Sequence, residues 1–173
     1  MATLRQRIPL AVRMIAYGIS FLAFLLGALP WLAYRVDVLA PGWHVEIGWF
    51  RVVGVVVFVG GAAGYVRSSY LLTHLGRGAY VEIDPPREFV ATGPYRWMRN
   101  PIAACAVFML LGEALMLSST GILLLSLTGM LVAHGQVIFL EERLLRRRFG
   151  SSYAEYLRRV PRWLPRRPKG GSP

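Results

Sequence analysis

Residues 99–143 read RNPIAACAVFMLLGEALMLSSTGILLLSLTGMLVAHGQVIFLEER. Two long, nearly uncharged apolar runs stand on either side of Ser118-Ser119-Thr120. The first opens on Asn100-Pro101, a strong helix start, since Asn suits the N-cap and Pro the first helical position. It runs from Pro101 to about Leu117, and the second begins near Gly121 and continues past Leu140. Each approaches the ~20 residues that cross ~30 Å of hydrocarbon. So short a link makes the pair a tight helical hairpin. The segment entering the first helix and the segment leaving the second must therefore be neighbours, which predicts one composite site.

Two more apolar runs precede the hairpin, about Met14 to Tyr34 and Gly48 to Tyr65 or beyond, as far as Leu72. The Met14 run is longer than a signal-peptide core, and Ala28-Leu29-Pro30-Trp31 is a poor cleavage site, so it reads as a retained span. The expected fold class is all-α: a polytopic membrane protein of about four transmembrane helices. Residues 1–173 form a single membrane domain. Two spans lie within 1–75, the hairpin region covers 76–165, and a disordered tail covers 166–173.

Composition agrees. Of the 173 residues 55% are hydrophobic, and the mean hydropathy is +0.45. The net charge is +11, carried almost wholly by arginine, with Lys169 the exception. Counted from the N-terminus, the segments between spans carry 3, 2, 5, 0 and 10 basic residues. High values fall on alternate segments, as four spans with both termini cytoplasmic require. The basic residues flank apolar runs, which points to anionic lipid headgroups and not to nucleic acid. Cys105 is the only cysteine, so neither an internal disulfide nor a paired-cysteine metal site is available. Gly60-Gly61-Ala62-Ala63-Gly64 is a small-residue packing face, with Gly60 and Gly64 as its pair; it lacks the strand that a dinucleotide loop needs.

The polar residues of interest flank the hairpin. Val90-Ala91-Thr92-Gly93-Pro94-Tyr95-Arg96-Trp97-Met98-Arg99 leads to Asn100-Pro101. A helix N-terminus with Arg96 and Arg99 beside it is a ready anion site, or else a capped helix with snorkelling arginines. On the exit side, His134 precedes Glu141 and Glu142 by about two helical turns, which puts them close to one face. The plainer alternatives are a helix–helix hydrogen bond for His134, and pairing of the glutamates with Arg146 or Arg147. Gly150 ends that helix, and Ser152 to Glu155 has capping-box spacing for another. Leu145, Phe149, Tyr153, Tyr156 and Val160 then form an apolar stripe opposite Arg146, Arg158 and Arg159. That pattern predicts a C-terminal amphipathic interfacial helix in the headgroup plane.

Taken in order, Gly93-Pro94-Tyr95, Arg99-Asn100-Pro101, the hairpin, Glu141-Glu142, Arg148-Phe149-Gly150, Tyr153, Tyr156 and Val160-Pro161-Arg162-Trp163-Leu164-Pro165 resemble the isoprenylcysteine carboxyl methyltransferase and phospholipid methyltransferase family. Gly76-Arg77-Gly78 and Asp84-Pro85-Pro86 resemble its bacterial members. The resemblance covers about Gly76 to Pro165 and implies a membrane-embedded enzyme, in the inner membrane of a bacterium. It implies S-adenosylmethionine as cofactor and a lipid-like or membrane-partitioned methyl acceptor, methylated on a carboxylate oxygen or an amine nitrogen. It further implies that Gly93, Tyr95, Arg99, Asn100, Glu141 and Glu142 bind the cofactor. Arg99 and His134 are the expected catalytic residues, with His134 as base for an amine acceptor. Ala103 and Cys105 stand where members commonly carry Tyr and Gly, and Arg143 stands where a Pro is common. These departures keep open a non-catalytic protein of the same fold that binds a lipid or a protein partner, or a small subunit of a larger complex.

Overall fold

The structure, a computed structural model, describes residues 9–39, 46–77 and 86–166. The expected tail from residue 167, together with Gly78, Asp84 and Pro85, lies outside the described residues. The described chain is helical. Helix α1 spans Leu10–Leu39, α2 Phe50–Gly76, α3 Pro101–Leu117, α4 Thr120–Gln136 and α5 Glu142–Arg159. Three helices are long and apolar enough to cross a membrane: Leu10–Leu39, Phe50–Gly76 and the continuous Thr120–Arg159. Helix α3 is apolar but shorter; its 17 residues rise about 25 Å.

Helix α3 lies at the centre, with α2, α4 and the middle of α1 packed against it. Glycine sets the α2–α3 approach. A Cβ on Gly54 would stand 2.7 Å from the Gly112 carbonyl oxygen, and one on Gly112 would stand 2.7 Å from that of Gly54. Gly61 and Gly64 rest on Cys105 and Met109 in the same way, while Gly60 faces open space. The sequence pair Gly60 and Gly64 thus contributes one member to the interface. Tyr65, Ala106 and Met109 form the core there, with Leu22, Leu25 and Leu26 of α1 against them.

Two π-turns interrupt the long helices. In α1 the turn Phe24–Ala28 stands just before Pro30, and Leu29 N–H donates to the Phe24 carbonyl. Proline lacks an N–H and crowds the preceding turn, so a widened turn at this point accommodates it. The second, Val137–Glu141, joins α4 to α5, and Glu142 N–H donates to the Val137 carbonyl.

The hairpin link is as short as the sequence implies. Ser118 takes a left-handed conformation, and Ser119 caps α4 by accepting the Ile122 N–H at 3.0 Å. Asp37, at the end of α1, accepts the Ser119 hydroxyl and the Gly121 N–H, the latter at 2.8 Å.

At the opposite end, Gly150 breaks α5 with φ 55 and ψ −126, so this sequence break is real. The apolar stripe of α5 does not face outward. Tyr153, Tyr156 and Val160 form a core with Phe89, Ala91, Leu145 and Phe149. Phe89 meets Tyr153 and Tyr156 edge-on, at 5.8 and 5.1 Å between ring centroids. The chain's own second loop therefore covers the surface that sequence pattern assigns to the headgroups. Arg146, Arg158 and Arg159 remain exposed on the other side.

Candidate active site

The turn before α3 is built on two requirements. Gly93 has φ +58, and a Cβ there would stand 2.7 Å from Leu71 Cδ1, so glycine turns the chain here without strain and without displacing Leu71. Tyr95 follows, buried at 6% exposure. Its hydroxyl donates to the Ser68 carbonyl at 3.3 Å, and its own carbonyl accepts the Tyr156 hydroxyl at 2.6 Å. Burial, reinforced by Glu141, pushes the Tyr95 phenol well above its ordinary value, so it stays a neutral donor. Tyr95 thus ties α2 and α5 to the turn.

Next comes α3 itself. Asn100 occupies the N-cap position, but its side chain makes no cap bond. The amide Nδ2 instead donates to the Arg162 carbonyl at 3.2 Å. The Asn100 side chain thus does not cap the first-turn N–H groups of α3.

Beside them sits a buried ion cluster. Arg99 Nη1 donates to Glu142 Oε1 at 2.8 Å. Arg162 donates to the same carboxylate from both sides of its fork, Nε to Oε1 at 2.8 Å and Nη2 to Oε2 at 3.2 Å. The side chains of Glu142 and Arg99 are 10% and 12% exposed. Two guanidinium groups share the Glu142 carboxylate. The hydrogen bond to Glu142 pushes the Arg162 guanidinium up from its ordinary value, so Arg162 stays charged. Arg99 Nε is buried with no hydrogen-bond partner, and a buried donor left open this way costs free energy until an acceptor arrives.

The π-turn decides which glutamate enters. In a regular helix the residue seven after His134 shares its face, and the eighth is turned away by roughly 80°. One inserted residue moves Glu142 into that alignment. Glu142 is buried, and Glu141 is exposed. Single π-turns of this kind recur at functional sites. Glu142 pairs with Arg99, 43 residues earlier, and Arg162, 20 residues later, and the helical pairing with Arg146 or Arg147 is not what holds it.

His134 receives Trp163: indole Nε1 donates to His134 Nδ1 at 2.8 Å. An indole N–H only donates, so Nδ1 is the acceptor and Nε2 carries the proton. Of the residues expected from sequence, Arg99, Asn100 and Glu142 come together, with His134 joined to them through Trp163. Gly93 and Tyr95 shape the turn, and Glu141 is exposed. Arg162 and Trp163 were legible only as part of a motif; an Arg-Trp pair between Pro161 and Pro165, beyond the last helix, was the available signal.

This geometry lies in and beside a segment that known proteins share. The phospholipid methyltransferase family model matches residues 49–152. The chain belongs to the phospholipid methyltransferase family. No individual curated protein matches it. The match includes Gly93, Tyr95, Arg99, Asn100, His134, Glu141 and Glu142, and it ends before Arg162 and Trp163. The chain is thus a member of a family of membrane methyltransferases, whose members generally use S-adenosylmethionine, and its long apolar helices agree with a membrane location.

Proposed function

We propose that the protein is an S-adenosylmethionine-dependent membrane methyltransferase acting on a lipid-like acceptor, at a carboxylate oxygen or an amine nitrogen. The observation that carries this reading is the Arg99–Glu142–Arg162 cluster at the start of α3, with two guanidinium groups on one carboxylate, an Asn100 side chain that does not cap the helix, and an open Arg99 Nε. The residues fit the cofactor. Its carboxylate would lie against Arg99 and the first-turn N–H groups, as anions do at helix starts. Glu142 would hold both arginines in place, and Trp97, 52% exposed, offers an aromatic face for a cation or a base.

When bound, the cofactor supplies a methyl group on a sulfonium, open to in-line displacement. The chain's own part is alignment and exclusion of water. His134, with Nδ1 engaged by Trp163, presents Nε2–H and acts in this arrangement as a donor that orients the acceptor. Four spans with both termini cytoplasmic put the cluster at the cytoplasmic surface. There the exposed arginines of α5 meet anionic headgroups, and the acceptor enters from the bilayer.

Calorimetry with purified protein in nanodiscs tests the reading. Saturable binding of S-adenosylmethionine is expected, lost in Arg99→Gln while the helical signal persists. Equal affinity in wild type and variant would remove Arg99 from the site, and no binding by a folded wild type would end the cofactor assignment.

A further inference from the structure

Residues Pro161–Arg166 follow α5 without helix or strand of their own, so polar links define their path. Arg99 N–H donates to the Pro161 carbonyl at 2.9 Å, and Arg166 N–H to the Trp97 carbonyl at 3.1 Å. Asn100 holds the Arg162 carbonyl, Glu142 holds the Arg162 side chain, and His134 holds Trp163. The segment is thus a strap laid across the start of α3.

These links are not equivalent. Four of them engage residues 97–100 or Glu142, the same groups a ligand in the cluster would rearrange. The fifth reaches α4. Arg162 and Trp163 are adjacent, and they grip the two sides of the π-turn, Glu142 after it and His134 before it. Only the π-turn's added residue brings those two side chains onto one face for neighbouring residues to reach. The outer side of the strap makes little of its own packing, as Leu164 is 80% exposed.

We propose that Trp163 is a positioning residue of this site: its bond to His134 latches the strap over the cluster and keeps His134 in its Nε2–H form. The latch rests on the methyltransferase reading for its purpose. Its existence is a matter of this chain's own contacts. While it holds, ligand exchange at the cluster requires the strap to lift as a unit. When it is broken, the strap loosens at its middle and strains the bonds at both ends, and a bound cofactor leaves sooner.

Hydrogen exchange at the Arg99 and Arg166 amides reads the strap directly, in nanodiscs without any ligand. Trp163→Phe keeps the ring and removes the N–H, and His134→Leu removes the acceptor. Both are expected to speed exchange at these two amides by roughly two- to tenfold, the worth of one hydrogen bond. His134→Gln keeps an acceptor and is expected to retain wild-type protection. Unchanged exchange in Trp163→Phe, or His134→Gln behaving as His134→Leu, would overturn the latch. The second readout is the dissociation rate of S-adenosylmethionine, expected to rise in Trp163→Phe by a similar factor. A strap that loosens while the cofactor leaves at the wild-type rate would show that Trp163 does not position the site. If the wild type binds no S-adenosylmethionine, the proposed function falls, and exchange still decides whether Trp163 latches the strap.

Discussion

The two ends of the bundle each bury a carboxylate against a helix start, and they dispose of it differently. Asp37 is 3% exposed and accepts a hydroxyl and a backbone N–H at the start of α4, where Ser119 also caps. Among the described residues no cation pairs with it, so dipole and donors suffice. Glu142 is 8% exposed and takes two guanidinium groups beside the start of α3, which has no side-chain cap. At Asp37 every group is answered and nothing is left over. At Glu142 an open Arg99 Nε remains, beside a helix start that the Asn100 side chain does not cap. The first arrangement is architecture. The second is architecture with a buried donor left open.

Removing Glu142 should have the largest effect. Glu142→Ala leaves two cations facing each other with little solvent, and a loss of about 3 kcal/mol is expected. Equilibrium unfolding in mixed micelles measures it, and cofactor binding should vanish with it. A loss within the range of an exposed ion pair would mean that the cluster is effectively solvated. Asp37→Ala comes next, at about 2 kcal/mol for two lost hydrogen bonds to a buried carboxylate. Here the contrast is sharpest, because S-adenosylmethionine affinity should not move. Any weakening of the cofactor would erase the distinction between the two ends. Gly54→Ala should follow, with roughly 1–3 kcal/mol from forcing α2 away from α3. Gly60→Ala, pointing into open space, should be neutral or stabilise by up to about 1 kcal/mol through helix propensity. Comparable losses at both glycines would mean that Gly60 also packs against something.

Much of the framework was open to reading along the chain. Helix α3 begins at Pro101 and ends at Leu117, where proline placement and apolar run put them. Ser118 to Thr120 makes the turn, and Gly150 makes the break. The same reading placed Arg99, Asn100 and Glu142 in one site because a short hairpin forces its two ends together. It did not separate Glu141 from Glu142, nor Gly60 from Gly61, since neighbours of one type carry the same pattern. It gave the Asn100 side chain a capping role, but that amide donates to the Arg162 carbonyl instead. It aimed the α5 stripe at the headgroups, when Phe89 was the surface waiting for it.

Amino-acid order alone determined the apolar helices, the short hairpin, the alternate segments in which arginine gathers and the family. Each follows from local rules: hydrocarbon thickness, chain length and the backbone preferences of proline and glycine. Tertiary structure decided which glutamate is buried, what holds it and what is left uncapped. Those depend on a one-residue π-turn and on a strap that returns from beyond the last helix. A helical phase shift and a long-range carbonyl leave no mark on local pattern, and they exist only once the helices have packed.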